Sequence, residues 1–131
     1  MSDELEMMLR IVVALILGGI IGYQREKVQK PAGVRTLAII AGGSALITVV
    51  SVFGFGADQA RVAAGIITGI GFLGAGAIVR RNETAVEGLT TAATIWVAAG
   101  IGLAVGAGFY LIAAVTTVLV LLVLMLARFG I

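Results

Sequence analysis

The 131-residue chain has room for one domain, and 60% of it is apolar while only 12% is charged, against roughly 45–50% and about 25% in a soluble chain. A core of this size cannot hide that much apolar surface from water, so lipid must cover it. Histidine and cysteine are absent, which excludes disulfides, Cys/His zinc sites, haem ligation through His, and catalysis by a His base or a Cys nucleophile.

About 20 helical residues cross a hydrocarbon core of about 30 Å, and uncharged runs of that length mark the spans in order. The first is expected at 5–23, where Arg10 interrupts an apolar stretch and would snorkel to the headgroups. Its acidic start, Asp3, Glu4 and Glu6, is the opposite of the basic opening of a signal peptide. A surface helix here would leave four spans, but the stretch has no polar face. The second span is read at 36–56 inside 22 uncharged residues, and the third at 59–79, whose last 18 residues are uncharged. Asp58 is placed to cap the third span, with Arg61 in its first turn. Thr84 and Glu87 have the spacing of a capping box for the fourth. From 88 to 127 there are 40 uncharged residues, about 60 Å of helix at roughly 1.5 Å each. That run must fold back once, at Gly106-Ala107-Gly108, giving spans at 88–105 and 109–127. The expected fold is therefore an all-α bundle of five transmembrane helices in a single domain, 1–131. No alternating ten-residue segments of a β-barrel are present.

Loop charge orients the bundle. Arg25, Lys27, Lys30 and Arg35 join spans one and two, Arg80 and Arg81 join spans three and four, and Arg128 lies near the end of the sequence, whereas only Arg10 and Arg61 fall on the other side. The positive-inside rule puts the first group in the cytoplasm, so the N-terminus is expected outside and the C-terminus inside. The net charge of +2 follows from these loops and gives no reason to expect nucleic-acid binding.

Nineteen glycines recur at helical spacing inside the spans, and small residues four apart let helices approach closely in lipid. Gly18 and Gly22, Gly65 and Gly69, and Gly100 with Ala104 form such pairs. Span three is densest in glycine and is expected at the centre of the bundle. Span five, bulky and free of glycine over 109–127, is expected at the periphery.

No charged residue falls near the midpoint of any span, where proton-coupled pumps and many carriers hold one. The interior polar groups are hydroxyls, Ser44, Thr48, Ser51, Thr68, Thr90, Thr91, Thr94, Thr116 and Thr117, most of them expected to bond a carbonyl one turn back or a neighbouring helix. Glu26 and Glu87 near the inner mouth, and Asp58 at the outer, are the candidate oxygen ligands for a hydrated Mg²⁺. The alternative for the two glutamates is pairing with Arg25, Arg35 or Arg80.

Three motifs carry a resemblance. Ile21-Gly22-Tyr23-Gln24-Arg25-Glu26 with Lys30-Pro31-Ala32-Gly33-Val34-Arg35-Thr36, then Asp58-Gln59-Ala60-Arg61 with Thr68-Gly69-Ile70-Gly71-Phe72-Leu73-Gly74, then Gly88-Leu89-Thr90-Thr91 with Ile95-Trp96 resemble, in order and spacing, the MgtC/SapB family. The resemblance implies a multi-pass protein of the bacterial inner membrane, tied to growth at low Mg²⁺, to survival inside host cells and to restraint of the F-type ATP synthase, and regulatory rather than a proven transporter. Carried over by position, the motif residues are Arg25, Glu26, Arg35, Thr36, Asp58, Arg61, Gly71, Phe72, Gly74, Gly88, Thr90, Thr91 and Trp96. Gln24, Leu37 and Gly65 depart from the family pattern, in which an acid, a His and a Gln are common. Many members also carry a soluble C-terminal domain, which is not expected within these 131 residues.

Two functions follow as expectations. One is a membrane-embedded regulatory or interaction module, with a homodimer favoured and another membrane protein as the second choice of partner. The other is a channel or carrier for Mg²⁺ or another small solute, lined by hydroxyls and carbonyls. No resident cofactor is expected. No enzyme is expected either, since the carboxylates are split between the two faces.

Overall fold

In the computed structural model, which describes residues 3–55, 59–80 and 86–131, the described residues form helices joined by turns, with one short strand pair. Helix α1 spans Asp3–Lys27, α2 Val34–Val50, α3 Gln59–Gly76, α4 Leu89–Gly106 and α5 Tyr110–Met125; a π-helical turn, Ser51–Phe55, extends α2, and a 3₁₀ turn, Leu126–Phe129, follows α5. The two-residue strands β1, Val79–Arg80, and β2, Val86–Glu87, pair antiparallel between α3 and α4. Among the described residues four segments are long and apolar enough to cross a membrane: α1, α2 with most of its π turn, α4, and α5 with its 3₁₀ turn. α3 has 18 residues, with Gln59 and Arg61 in its first turn and several glycines, which lower its hydropathy.

Local chemistry explains the ends. α1 carries Asp3, Glu4 and Glu6 in its first turn and Arg25 and Lys27 in its last, complementing the helix dipole at both ends. The turn expected at Gly106-Ala107-Gly108 is present. Ala107 and Phe109 donate to the carbonyls of Leu103 and Ala104, and Gly108 takes a φ of +94° that glycine adopts without strain. α4 begins later than the expected cap at Thr84. Its N-cap is Gly88, at φ +92°, where a Cβ would collide with the Ala77 carbonyl oxygen, and Glu87 lies in β2. Asp58 and Thr84 themselves lie outside the described residues.

The centre of the bundle is α4 against α1 and α2, not α3. α4 packs against every other helix, whereas α3 meets chiefly α4 and only grazes α2. The contact surfaces are backbone on backbone. A Cβ at Gly18 would collide with the Leu37 carbonyl oxygen and one at Gly102 with that of Ala41, and one at Gly106 would stand 2.7 Å from the Thr48 Cβ. Ala14, Ala41, Ala45 and Ala98 fill the same seam completely buried. Of the expected small-residue pairs, Gly18 and Gly22 therefore pack as read. The working pair on α4 is Gly102 and Gly106, while Gly100, like Gly65 and Gly69 on α3, faces open space. Glycine density measures how closely a helix can be approached, and on most of α3 nothing among the described residues makes the approach. α5 is peripheral, with only Ala113 and Thr117 buried.

Arg10 does not snorkel. Its side chain is 14% exposed, donates to the Gly106 carbonyl at 2.9 Å and to Glu6 at 3.2 Å, and lies 5.1 Å from the centre of the Phe53 ring. Tyr110 donates to the same Glu6 oxygen at 2.9 Å. The end of α4, the start of α5 and the π turn are thereby tied to α1. The cation also sits at the negative end of the α4 dipole.

Gly102→Ala, which forces a Cβ onto the α2 main chain, should cost about 1–3 kcal/mol as an overpacked contact. Gly100→Ala, into open space, should leave stability unchanged or raise it. Thermal unfolding of the two variants in one detergent measures the difference.

Candidate functional site

The family-motif residues with the most built environment lie where α1 ends, α2 begins and α4 begins. The connection 28–33 folds back on α1. Gln29 donates to the Glu26 carbonyl at 3.0 Å and Lys30 to that of Arg25 at 2.9 Å, with Gln29 and Ala32 both left-handed at φ 58° and 63°. Non-glycine residues in that region cost of order 1–3 kcal/mol each and persist only where the surroundings hold them. Here the hold is close backbone approach, since a Cβ at Gly22 would collide with the Gly33 carbonyl.

Arg25 is the buried charge of this cluster, 4% exposed. Its Nε donates to the Pro31 carbonyl at 3.2 Å and its Nη2 makes a short hydrogen bond to Thr91 Oγ1 in the first turn of α4. One guanidinium thus joins α1, the loop and α4, using the fork of donors that makes arginine suited to buried sites. Among the described residues Glu26 forms no ion pair with Arg25 or Arg35, and the Arg80 side chain lies outside them. The Glu26 Oε1 accepts from the Val34 backbone N–H at 2.9 Å, supplying α2 with the N-terminal cap that Gly33 has no side chain to provide. A Cβ on Gly33 would collide with that oxygen. The Glu87 side chain lies outside the described residues, and among the described residues no three His, Cys, Asp or Glu come close enough to hold a metal.

The remaining candidates are dispersed. Arg35, Thr36 and Thr90 lie on the first turns of α2 and α4, all three exposed there. Arg61 is exposed at the opposite end, and Asp58 lies outside the described residues. Gly71 and Phe72 lie on the outward surface of α3, Phe72 82% exposed, whereas Gly74 packs on Ala92 with contacts of 3.5–3.9 Å for a Cβ. Trp96 is half exposed on α4. The hydroxyls divide as expected: Thr48, Thr94 and Thr117 donate to carbonyls four residues back, and Ser44 donates to Ala99 on α4 at 2.7 Å. Sequence reasoning passed over Gly33 and the Pro31 carbonyl, although both stand in the first motif. It also missed Gly102 with Gly106, a four-residue spacing that was readable.

The MgtC family profile matches residues 11–129. The chain belongs to the MgtC family. Protein YhiD of Escherichia coli K12, provisionally named a magnesium transporter, is 45% identical over 91% of this chain and 59% of its own length. Protein SapB of Bacillus subtilis 168 is 42% identical over 80% and 49%, and protein MgtC of Salmonella typhimurium LT2 42% identical over 92% and 52%. The chain spans about half the length of the curated relatives it matches. No solved structure matches it. All three motifs lie inside the matched region, so the Arg25, Glu26 and Thr91 contacts belong to the part shared with the family.

Thr91→Val should cost about 1.5–3 kcal/mol, the range for a hydrogen bond to a charged partner, and Thr91→Ser should restore most of it. Glu26→Ala should cost about 1 kcal/mol, as the loss of a helix cap. Denaturant or thermal unfolding in detergent checks all three.

Proposed function

We propose that this chain is a five-span module of the bacterial inner membrane, N-terminus outside and C-terminus in the cytoplasm, that works by docking a transmembrane helix of a partner within the cell's adaptation to low Mg²⁺. The observation that carries this is the open face of α3. A Cβ on Gly65, Gly69, Gly71 or Gly76 would meet nothing within 4 Å, and Gly65, Gly69, Phe72 and Gly76 fall on one stripe of the helix. Between Gly65 and Gly69 of that stripe and Ile39, Gly43 and Ile47 of α2 runs a crevice of about 570 Å³. Small residues at four-residue spacing, facing lipid alone, are the surface on which a second helix packs most closely. A second copy of the chain is the partner we favour; the F-type ATP synthase, to which the family resemblance points, is the other. The magnesium link rests on family membership and on the name given to YhiD. No catalytic role is proposed.

A path for Mg²⁺ or another small solute is the second reading, favoured by the same crevice. Its one polar side chain is Ser44, already donated to Ala99, so an ion there would lose hydration with little in return. Flux through purified protein in liposomes, beside a known channel, decides it.

Gly65→Leu and Gly69→Leu should fold with nearly unchanged thermal stability yet reduce the particle mass in detergent and fail to restore growth at low Mg²⁺ to a strain lacking the protein. Unchanged mass with full growth would refute docking at α3. A reporter fused after Ile131 should be active only in its cytoplasmic form, such as a fluorescent protein, and an export-dependent reporter there should stay silent.

A further inference from the structure

The crevice between α2 and α3 lies in one half of the membrane. Its α2 wall runs from Ile39 to Ile47, about 12 Å at roughly 1.5 Å per residue. That is most of the depth of one leaflet, since the whole hydrocarbon core is about 30 Å thick. α2 begins at Val34, and the segment long enough to span runs from Val34 to Gly54. The crevice therefore starts little more than a turn inside the helix and stops near the middle of the span. It belongs to the leaflet at the bundle end that holds Arg25 and the loop 28–33. Ile39, Ile47 and, on the α3 wall, Leu73 are exposed, so the crevice opens to the bilayer.

Two polar residues stand at its mouth. Arg35 and Thr36 lie one turn before Ile39 and Ile40, which both line the crevice, and each shares a stripe of the helix with the residue below it. Both are exposed. Helical side chains lean toward the N-terminus of their helix, which carries these two out of the crevice toward the headgroups. Among the described residues no carboxylate pairs with Arg35, and Glu26 is engaged by the Val34 N–H.

The two parts together select the occupant. A gap of about 570 Å³ falls in the roughly 300–1,000 Å³ range of small-molecule sites, and left empty it would forfeit the dispersion contacts of its walls. Of its lining residues only Ser44 is polar, and that hydroxyl already donates to Ala99, so a hydrocarbon chain enters without breaking a hydrogen bond. Any lipid could supply the chain. The guanidinium fork at the mouth matches the oxygens of a phosphate, and its charge favours a lipid that is anionic overall.

We propose that the α2–α3 crevice binds one anionic diacyl phospholipid of the adjoining leaflet, with an acyl chain lying along Ile39, Gly43 and Ile47 and the phosphate held by Arg35 beside Thr36. This lipid site does not rest on helix docking at α3 or on which end of the bundle lies outside. Gly65 and Gly69 border both surfaces, so a seated lipid and a docked helix compete for that edge.

Native mass spectrometry of the detergent-purified chain tests the site, because a bound lipid and a bound second copy add different masses and are scored separately. A one-lipid adduct should form at least about fivefold more readily with dioleoyl phosphatidylglycerol than with dioleoyl phosphatidylcholine, the weight of one basic residue against an anionic lipid. Arg35→Gln, an exposed change that leaves the packing intact, should remove that preference. Arg128→Gln, beyond α5 and away from the crevice, should leave it in place. Gly43→Leu, whose side chain enters the open space of the crevice, should lower the adducts of both lipids. Millimolar inorganic phosphate should not displace phosphatidylglycerol, because it brings no chain. Equal adducts from the two lipids, a preference reduced alike by Arg35→Gln and Arg128→Gln, undiminished adducts in Gly43→Leu, or displacement by phosphate each overturns the proposal.

Discussion

Contact between the main chains of α1, α2 and α4 is the constraint on which the rest of the molecule depends. In lipid there is no hydrophobic drive to pull one apolar helix onto another, so association rests on how many atoms can be brought to van der Waals distance. Gly18, Gly22, Gly102 and Gly106 remove the side chains that would hold α2 off, and the neighbouring main chain of α2 or its connection occupies the space a Cβ would need. Alanines complete the seam. Once α1 and α4 are both held against α2, side chains of modest reach can join them at the ends.

Those joints are two arginines of one helix, each fastened to an opposite end of another. Arg10 and Arg25 are fifteen residues apart on α1, as are Thr91 and Gly106 on α4, and Arg10 meets Gly106 while Arg25 meets Thr91. Equal spacing, about 22 Å at 1.5 Å per residue, is what two antiparallel helices need to be pinned at both ends. The pins differ in electrostatic character. Arg10 complements the carbonyl end of α4, whereas Arg25 sits at the amide end, where the dipole disfavours a cation. Hydrogen bonds to Pro31 and Thr91 have to hold it there, which explains why the loop 28–33 accepts two left-handed non-glycine residues to present that carbonyl.

Against this rigid three-helix centre, α3 and α5 are the adaptable parts. α5 is a bulky outer helix covered on one side. α3 leans on α4 through Gly74, with Ile66 its other buried residue, and leaves its other glycines without neighbours among the described residues. A module built this way can keep its own fold while the α3 surface is occupied or vacated.

Composition, uncharged run lengths and the Gly106-Ala107-Gly108 turn were enough to read an all-helical, lipid-covered chain with its elements in the right order, because these signals are local and additive along the sequence. The family motifs were legible for the same reason, as was the Gly18 and Gly22 pair. What could not be read was the partner of each group. That Arg10 turns inward to α4, that Arg25 reaches Thr91, and that α4 and not α3 is central all depend on which helices become neighbours. Neighbourhood is set by distances between residues 66 to 96 positions apart in the chain, which no local pattern encodes. Sequence alone therefore determined that the helices exist and where they turn; the tertiary structure alone decided which glycines are filled, because a missing side chain permits contact without naming the surface that makes it.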